Sequence, residues 1–176
     1  MKIVHFLTAV FLLGLTACSS TDSGKVQSEL QKIYSAISDE DYATANQLLV
    51  ADNAIKEYPL PNDGNQKSLY GQVMVIETQP MANDAELVLY QISVHEKNRR
   101  IYNRLDSEGY KALEKSGKVR SVNKEEGVIV YAERKVAMRL KDGGKPKYII
   151  NPTPESIELH FKNSQQEVRQ LLAKYQ

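Results

Sequence analysis

Residues Glu86 to Glu96 read ELVLYQISVHE, and their period settles the fold class. Val88, Tyr90, Ile92 and Val94 recur at every second position, with Gln91, Ser93 and His95 among the residues between them. Side chains of an extended chain point alternately to two faces, so this spacing predicts a strand with one buried face. Its neighbours have the same character. Leu69 to Thr78 (LYGQVMVIET) is rich in strand formers, and Gln79 to Asp84 is a turn between the two. On the other side Lys97-Asn98 can turn the chain, and Arg99 to Leu105 is expected to return as a further strand.

Moving toward the C-terminus, Asp106 is expected to cap a short helix through Ser116, with Tyr110 and Leu113 inward and Gly117 as its stop. Lys118 to Val122 and Val128 to Lys141 read as strands joined by a turn at Asn123 to Gly127. Asp142-Gly143-Gly144 is a hairpin signal because glycine tolerates positive φ, and Lys145 to Ile150 would pair back. After Asn151-Pro152-Thr153-Pro154 two readings compete. Thr153-Pro154-Glu155 has the chemistry of a helix start. Ile157, Leu159 and Phe161 alternate with Glu158, His160 and Lys162, which favours a strand and is the expectation adopted. Ser164 with Glu167 forms a capping-box pattern ahead of a closing helix carrying Val168, Leu171 and Leu172.

Toward the N-terminus, YPLPNDGNQ (Tyr58 to Gln66) is a loop, and before it the period becomes helical. Val26, Leu30, Ile33, Tyr34 and Ile37 lie on one helix face, opposite Glu29, Gln31 and Lys32. Ser38 is expected to cap a second helix with Tyr42, Ala45, Leu48 and Leu49 inward, its first turn carrying Asp39, Glu40 and Asp41. The sum is an α+β domain over residues 26–176: two N-terminal helices packed on a mainly antiparallel sheet, one inserted helix and a C-terminal helix. The segment IYSAISDEDYATANQLL (residues 33–49) resembles the opening helix pair of NTF2-like domains. That resemblance implies a helix pair on a curved sheet and, in many such domains, a ligand pocket between them. A cystatin-like helix-on-sheet arrangement is the neighbouring alternative.

The first eighteen residues are of another kind. Lys2 precedes a short apolar run, Ile3 to Leu15, interrupted by His5, Thr8 and Gly14, and then Thr16, Ala17 and Cys18, the only cysteine. Spanning a bilayer takes roughly 20 apolar residues. This run is shorter and ends in small residues, the layout of a cleavable export signal. Leu15-Thr16-Ala17-Cys18 resembles the lipobox of bacterial lipoproteins of the Gram-negative type. The resemblance implies removal of residues 1–17, a thioether-linked diacylglycerol on Cys18 and a third acyl chain, such as palmitate, on its amine. Several chains hold firmly where one holds marginally. By the enterobacterial sorting rule aspartate after the cysteine retains a lipoprotein in the inner membrane. Ser19 in that place implies the outer membrane, on its periplasmic side. Residues 18–25 then read as acylated cysteine and flexible tether, in which SSTDSGK (residues 19–25) reaches at most about 25 Å.

Cleavage would remove Lys2, one of 23 basic residues, and none of the 22 acidic ones, leaving a balanced body of 159 residues. That size suits one domain, and zero net charge argues against a nucleic-acid partner. With Cys18 acylated no thiol remains for a disulfide, a nucleophile or a metal. Ten tyrosines and no tryptophan are expected at core margins, hydroxyls toward water, in preference to lining a glycan or peptide groove. His95 and His160 stand on separate expected strands facing outward and do not make a metal site; no cofactor is expected. No GxSxG, HExxH or SxxK occurs, and Asp39, Glu40 and Asp41 are consecutive where glycoside cleavage needs facing carboxylates. No catalytic residue is assigned, and the chain is expected not to be an enzyme.

Lys97, Arg99, Arg100 and Arg104 form the best local anomaly. Arginine suits bidentate contact with phosphate or carboxylate, so lipid headgroups, an anionic glycan or an acidic protein are its candidate partners. The alternative is a solvated hairpin tip balanced by Glu96 and Asp106. The leading functional expectation is a non-enzymatic binding or assembly module of the cell envelope, held to the membrane by its lipid and meeting an envelope protein or cell-wall polymer. An inhibitor or immunity-type lipoprotein that docks the Tyr58 to Gln66 or Asp142 to Lys147 loop into a hydrolase is the second. An NTF2-like small-ligand binder or enzyme is the third.

Overall fold

The computed structural model describes residues 20–56 and 66–175. Residues 1–17, Cys18, Ser19 and nearly all of the loop expected at Tyr58 to Gln66 lie outside them. The chain is α+β. Helix α1 (Ser20–Ser38) and short α2 (Tyr42–Asn46) lead to β1 (Gln66–Pro80) and β2 (Glu86–Asn98), then α3 (Ile101–Asp106) and α4 (Glu108–Lys115). Three strands follow, β3 (Val119–Asn123), β4 (Val128–Asp142) and β5 (Lys145–Ile150), and then α5 (Pro154–His160) and α6 (Gln165–Leu172). The antiparallel sheet runs β1-β2-β4-β3, with β5 also on β4. Strand β4 is long enough to pair β3 through Val128 to Tyr131 and β5 through Ala137 to Asp142.

The two faces of the sheet carry separate cores. Val88, Tyr90, Ile92 and Val94 stand opposite Ala137, Lys135, Glu133 and Tyr131 in register, and with Val73 and Tyr148 they receive Val26, Leu30, Ile33 and Tyr34 of α1. On the reverse face Leu87, Met138 and Ile149 pack against Ile157 and Phe161 of α5 and Val168 and Leu172 of α6. Ile101 and Tyr110 of α3 and α4 cover Ile129 at the far end of the first face.

Helix α1 does more than bury its apolar stripe. The outer edge of β1 offers backbone groups that no strand satisfies, a liability in any sheet. Gln27 Oε1 accepts from Val75 N at 3.2 Å, and Gln31 Oε1 accepts from Val73 N at 2.8 Å while its amide donates to Gly71 O at 2.9 Å. Ser38 Oγ accepts from Tyr70 N at 2.7 Å. These side chains recur at helical spacing along one side of α1. The edge of β5 is closed by the segment after α2, where Tyr148 N donates to Leu48 O and Val50 N to Tyr148 O.

Several expectations are corrected. Ser20 to Lys25, expected to belong to the tether, lie within α1, where Asp22 is 3.6 Å from Arg139 Nη1. Asp41, not Ser38, caps α2 by accepting from Thr44 N. Leu48 and Leu49 leave the helix to bridge β5. Arg99 to Leu105 is a turn and α3 in place of a strand, so the inserted helix is a pair, the second capped by Ser107 instead of Asp106. Residues 157–162 are not a strand. Thr153 and Ser156 form a reciprocal capping box with Pro154 at the first turn, and Ile157 and Phe161, four apart, are both buried while Leu159 between them is exposed. The alternation in that segment is incidental to a helical i, i+4 pair. The box expected at Ser164 does not form; Ser164 starts α6 with a buried hydroxyl that has no hydrogen-bond partner among the described residues.

Candidate functional site

The basic cluster does not act as one patch. Glu96 ends the inward-facing row of β2 and is 1 % exposed. A buried carboxylate needs a charged, hydrogen-bonded partner. Arg104 supplies it from α3: Nε donates to Glu96 Oε1 at 2.7 Å and Nη2 to Oε2 at 3.2 Å. Its third arm, Nη1, donates to Ser107 Oγ at 2.9 Å, and that hydroxyl caps α4 by accepting from Tyr110 N. The hydrogen bonds it donates to Glu96 hold the guanidinium above its ordinary range. Arg104 therefore fastens α3 and α4 to the sheet. Lys97, Arg99 and Arg100 remain exposed, with Tyr102 at 65 % exposure beside them. Gly127 shapes the same end. Its φ is +65°, and a Cβ there would stand 2.5 Å from Asn98 O, so only glycine fits.

At the opposite end Arg139 is the hub. Its Nη1 lies 2.8 Å from Glu86 Oε2 and its Nε 3.5 Å from Glu29 Oε2, an ion pair without hydrogen-bond geometry. Glu29 accepts from Tyr148 Oη at 2.6 Å. Burial first and this bond second push the Tyr148 phenol well above its usual range. A cleft of about 500 Å³ opens beside this network between α1, the β1–β2 turn and the β4–β5 hairpin. Its walls mix Asp22, Lys25, Asp84, Glu86 and Lys141 with Met81 and Leu140, and both signs of charge are already paired across it by Arg139–Glu86 and Lys141–Asp84.

The tyrosines are placed more deeply than their type suggests. Tyr34 and Tyr90 are buried with their hydroxyls 2.5 Å apart, and Tyr70 packs its ring 4.8 Å from that of Tyr34. Burial pushes both paired phenols far up. These rings fill the space between α1 and the sheet. His95 lies on β2, its imidazole against Gly71, where a Cβ would stand 2.9 Å from Nε2. His160 is on α5, not a strand, and meets Asp52 at 2.9 Å. Among the described residues no three His, Cys, Asp or Glu side chains gather to hold a metal ion, and no helix is long and apolar enough to cross a membrane. The Asp142 to Lys147 loop is a tight hairpin, with Gly143 and Gly144 at positive φ and Lys147 Nζ bonded to Gln47 O.

One surface was not foreseen. Among the described residues, the helical cover of the reverse face, α5 and α6, lies near Leu87, Met138 and Ile149. Beyond them Gln91, Ser93 and His95 are part-exposed, and Met74, paired in register with Gln91, is 48 % exposed, with Ile76 at 44 % beside it. The sequence signal was present in the polar alternate row of ELVLYQISVHE, which marks a face without a full helical cover. Comparison with known protein families, with curated proteins and with solved structures finds no match to this chain.

Proposed function

We propose that this chain is an envelope lipoprotein, exported on residues 1–17, acylated at Cys18 and held on the periplasmic side of the outer membrane, where it acts as a non-enzymatic binding or assembly module. One observation carries the reading: the only cysteine follows small residues at the end of an apolar run too short to span a bilayer. Ser20, two residues beyond that cysteine, is already within α1, so an anchor there would hold the folded body close to the membrane. The half-covered sheet face with Met74 and Ile76, and the basic end with Lys97, Arg99, Arg100 and Tyr102, are surfaces suited to an envelope protein or an anionic cell-wall polymer.

Mass spectrometry of native material tests the anchor. The expected N-terminal residue is Cys18 carrying a diacylglyceryl group and an amide-linked acyl chain. An unmodified thiol or an intact leader refutes it. Ser19→Asp is expected to move the protein to the inner membrane on density-gradient fractionation. Crosslinking in intact envelopes followed by pull-down tests the module role, and no reproducible partner counts against it.

A further inference from the structure

Resting on the lipoprotein reading, we infer that the body stands end-on at the bilayer, with the β1–β2 turn and the β4–β5 hairpin against the lipid headgroups and the α3–α4 end directed away. The argument is one of tether length and helix attachment. Ser20 is two residues from Cys18 and is already helical. Two residues reach about 7 Å even when extended, so acyl chains on Cys18 would keep the start of α1 within a headgroup's thickness of the membrane.

The start of α1 has a fixed place on the body. Asp22 lies 3.6 Å from Arg139 Nη1, and Glu29, two turns on, lies 3.5 Å from Arg139 Nε. Arg139 is paired in register with Glu86, the first residue of β2, so α1 begins where the β1–β2 turn and the β4–β5 hairpin lie. From there it runs the other way along β1, bonding Val75, then Val73 and Gly71, then Tyr70. The helix cannot swing free to reorient the body without breaking these contacts. The near end carries Lys25 and Lys145, both exposed and without an ion-pair partner among the described residues, beside the equally exposed Asp142, so the orientation rests on the tether and not on net charge.

The basic residues at the other end are then removed from lipid. Strand β2 covers 13 residues from Glu86 to Asn98, a rise of about 40 Å. Charges are screened over about 8 Å at physiological salt. Lys97, Arg99 and Arg100 would thus be several screening lengths from the leaflet that holds the anchor. Of their three candidate partners, headgroups of that leaflet drop out, and an acidic protein or polymer in the periplasm stays.

Acylation of Cys18 leaves an introduced cysteine as the only free thiol, which makes the test direct. Full-length Lys145→Cys and Lys124→Cys chains, purified with their anchor, are labelled with a fluorophore and reconstituted in phosphatidylethanolamine–phosphatidylglycerol vesicles carrying a headgroup nitroxide. Both sites are exposed. The label at position 145 is expected to be quenched severalfold more than the label at 124. Co-flotation with equal quenching, or stronger quenching at 124, overturns the end-on orientation and leaves the anchor standing. An unmodified Cys18 without co-flotation overturns both.

Discussion

Truncating Arg104 separates a structural arginine from binding ones. Glu96 is 1 % exposed on its side chain and Arg104 21 %, and the fork between them has two bonds of 2.7 and 3.2 Å. Removing one partner of a buried pair leaves an uncompensated charge and costs about 3–5 kcal/mol. The opening left by Arg104→Ala would admit water to the carboxylate, so the lower end, about 3 kcal/mol, is expected. In a domain of this size each kcal/mol shifts Tm by about 2–4 °C, giving a fall of about 6–12 °C. Urea unfolding followed by far-UV circular dichroism measures it, with a lower midpoint at unchanged slope. Arg99→Ala and Arg100→Ala, at exposed positions, are expected to stay within about 0.5 kcal/mol of the parent. Glu96→Leu combined with Arg104→Met removes both charges and is expected to recover most of the loss, since apolar replacement of a buried pair is often neutral. An Arg104→Ala protein as stable as Arg100→Ala would refute the argument.

Three other outcomes follow from the geometry. Tyr34→Phe or Tyr90→Phe alone strands one buried hydroxyl and is expected to cost about 1–3 kcal/mol, while the double variant costs less than the sum; additive losses in a double-mutant cycle would contradict the pairing. In alkali, Tyr131, pushed up to about 12 by burial, and Tyr34, Tyr90 and Tyr148, pushed higher still, keep their protons folded but lose them unfolded near 10. Stability is then full below pH 10 and falls as pH rises beyond it; absorbance at 295 nm should show a late tyrosinate step coinciding with loss of ellipticity, and complete ionisation of a still-folded chain would sink the assignment. Gly127→Ala, at φ +65° and against Asn98 O, is expected to cost more than about 1 kcal/mol by urea titration, and a neutral effect would show that the turn adjusts.

Where one period dominates, as in Glu86 to Glu96 or Val26 to Ile37, the sequence is legible because burial alone selects the residues. It misled where two periods share the same positions. Ile157 and Phe161 satisfy both i+2 alternation and an i+4 pair, and capping by Thr153 and Ser156 decided between them. Polar roles that depend on tertiary neighbours were not legible. Glu96 continues the inward row of Val88 to Val94, but nothing in the sequence pairs it with Arg104 in preference to Lys97, Arg99 or Arg100, so four basic residues looked alike. Gln31 read as part of a polar helix face and Ser38 as a helix cap until an unpaired strand edge lay beside them. The tyrosine hydroxyls were expected in water because their partners, Tyr34 with Tyr90 and Glu29 with Tyr148, lie 56 and 119 residues apart.

The bonds from α1 to the outer strand have a mechanical consequence. Helix and strand run in opposite directions, so a pull applied through the chain's beginning loads Gln27 first, then Gln31, then Ser38, one attachment at a time. Such an arrangement unzips under far less force than one sheared all at once. Each step of peeling would bare another stretch of unpaired strand edge, a template for pairing with another chain.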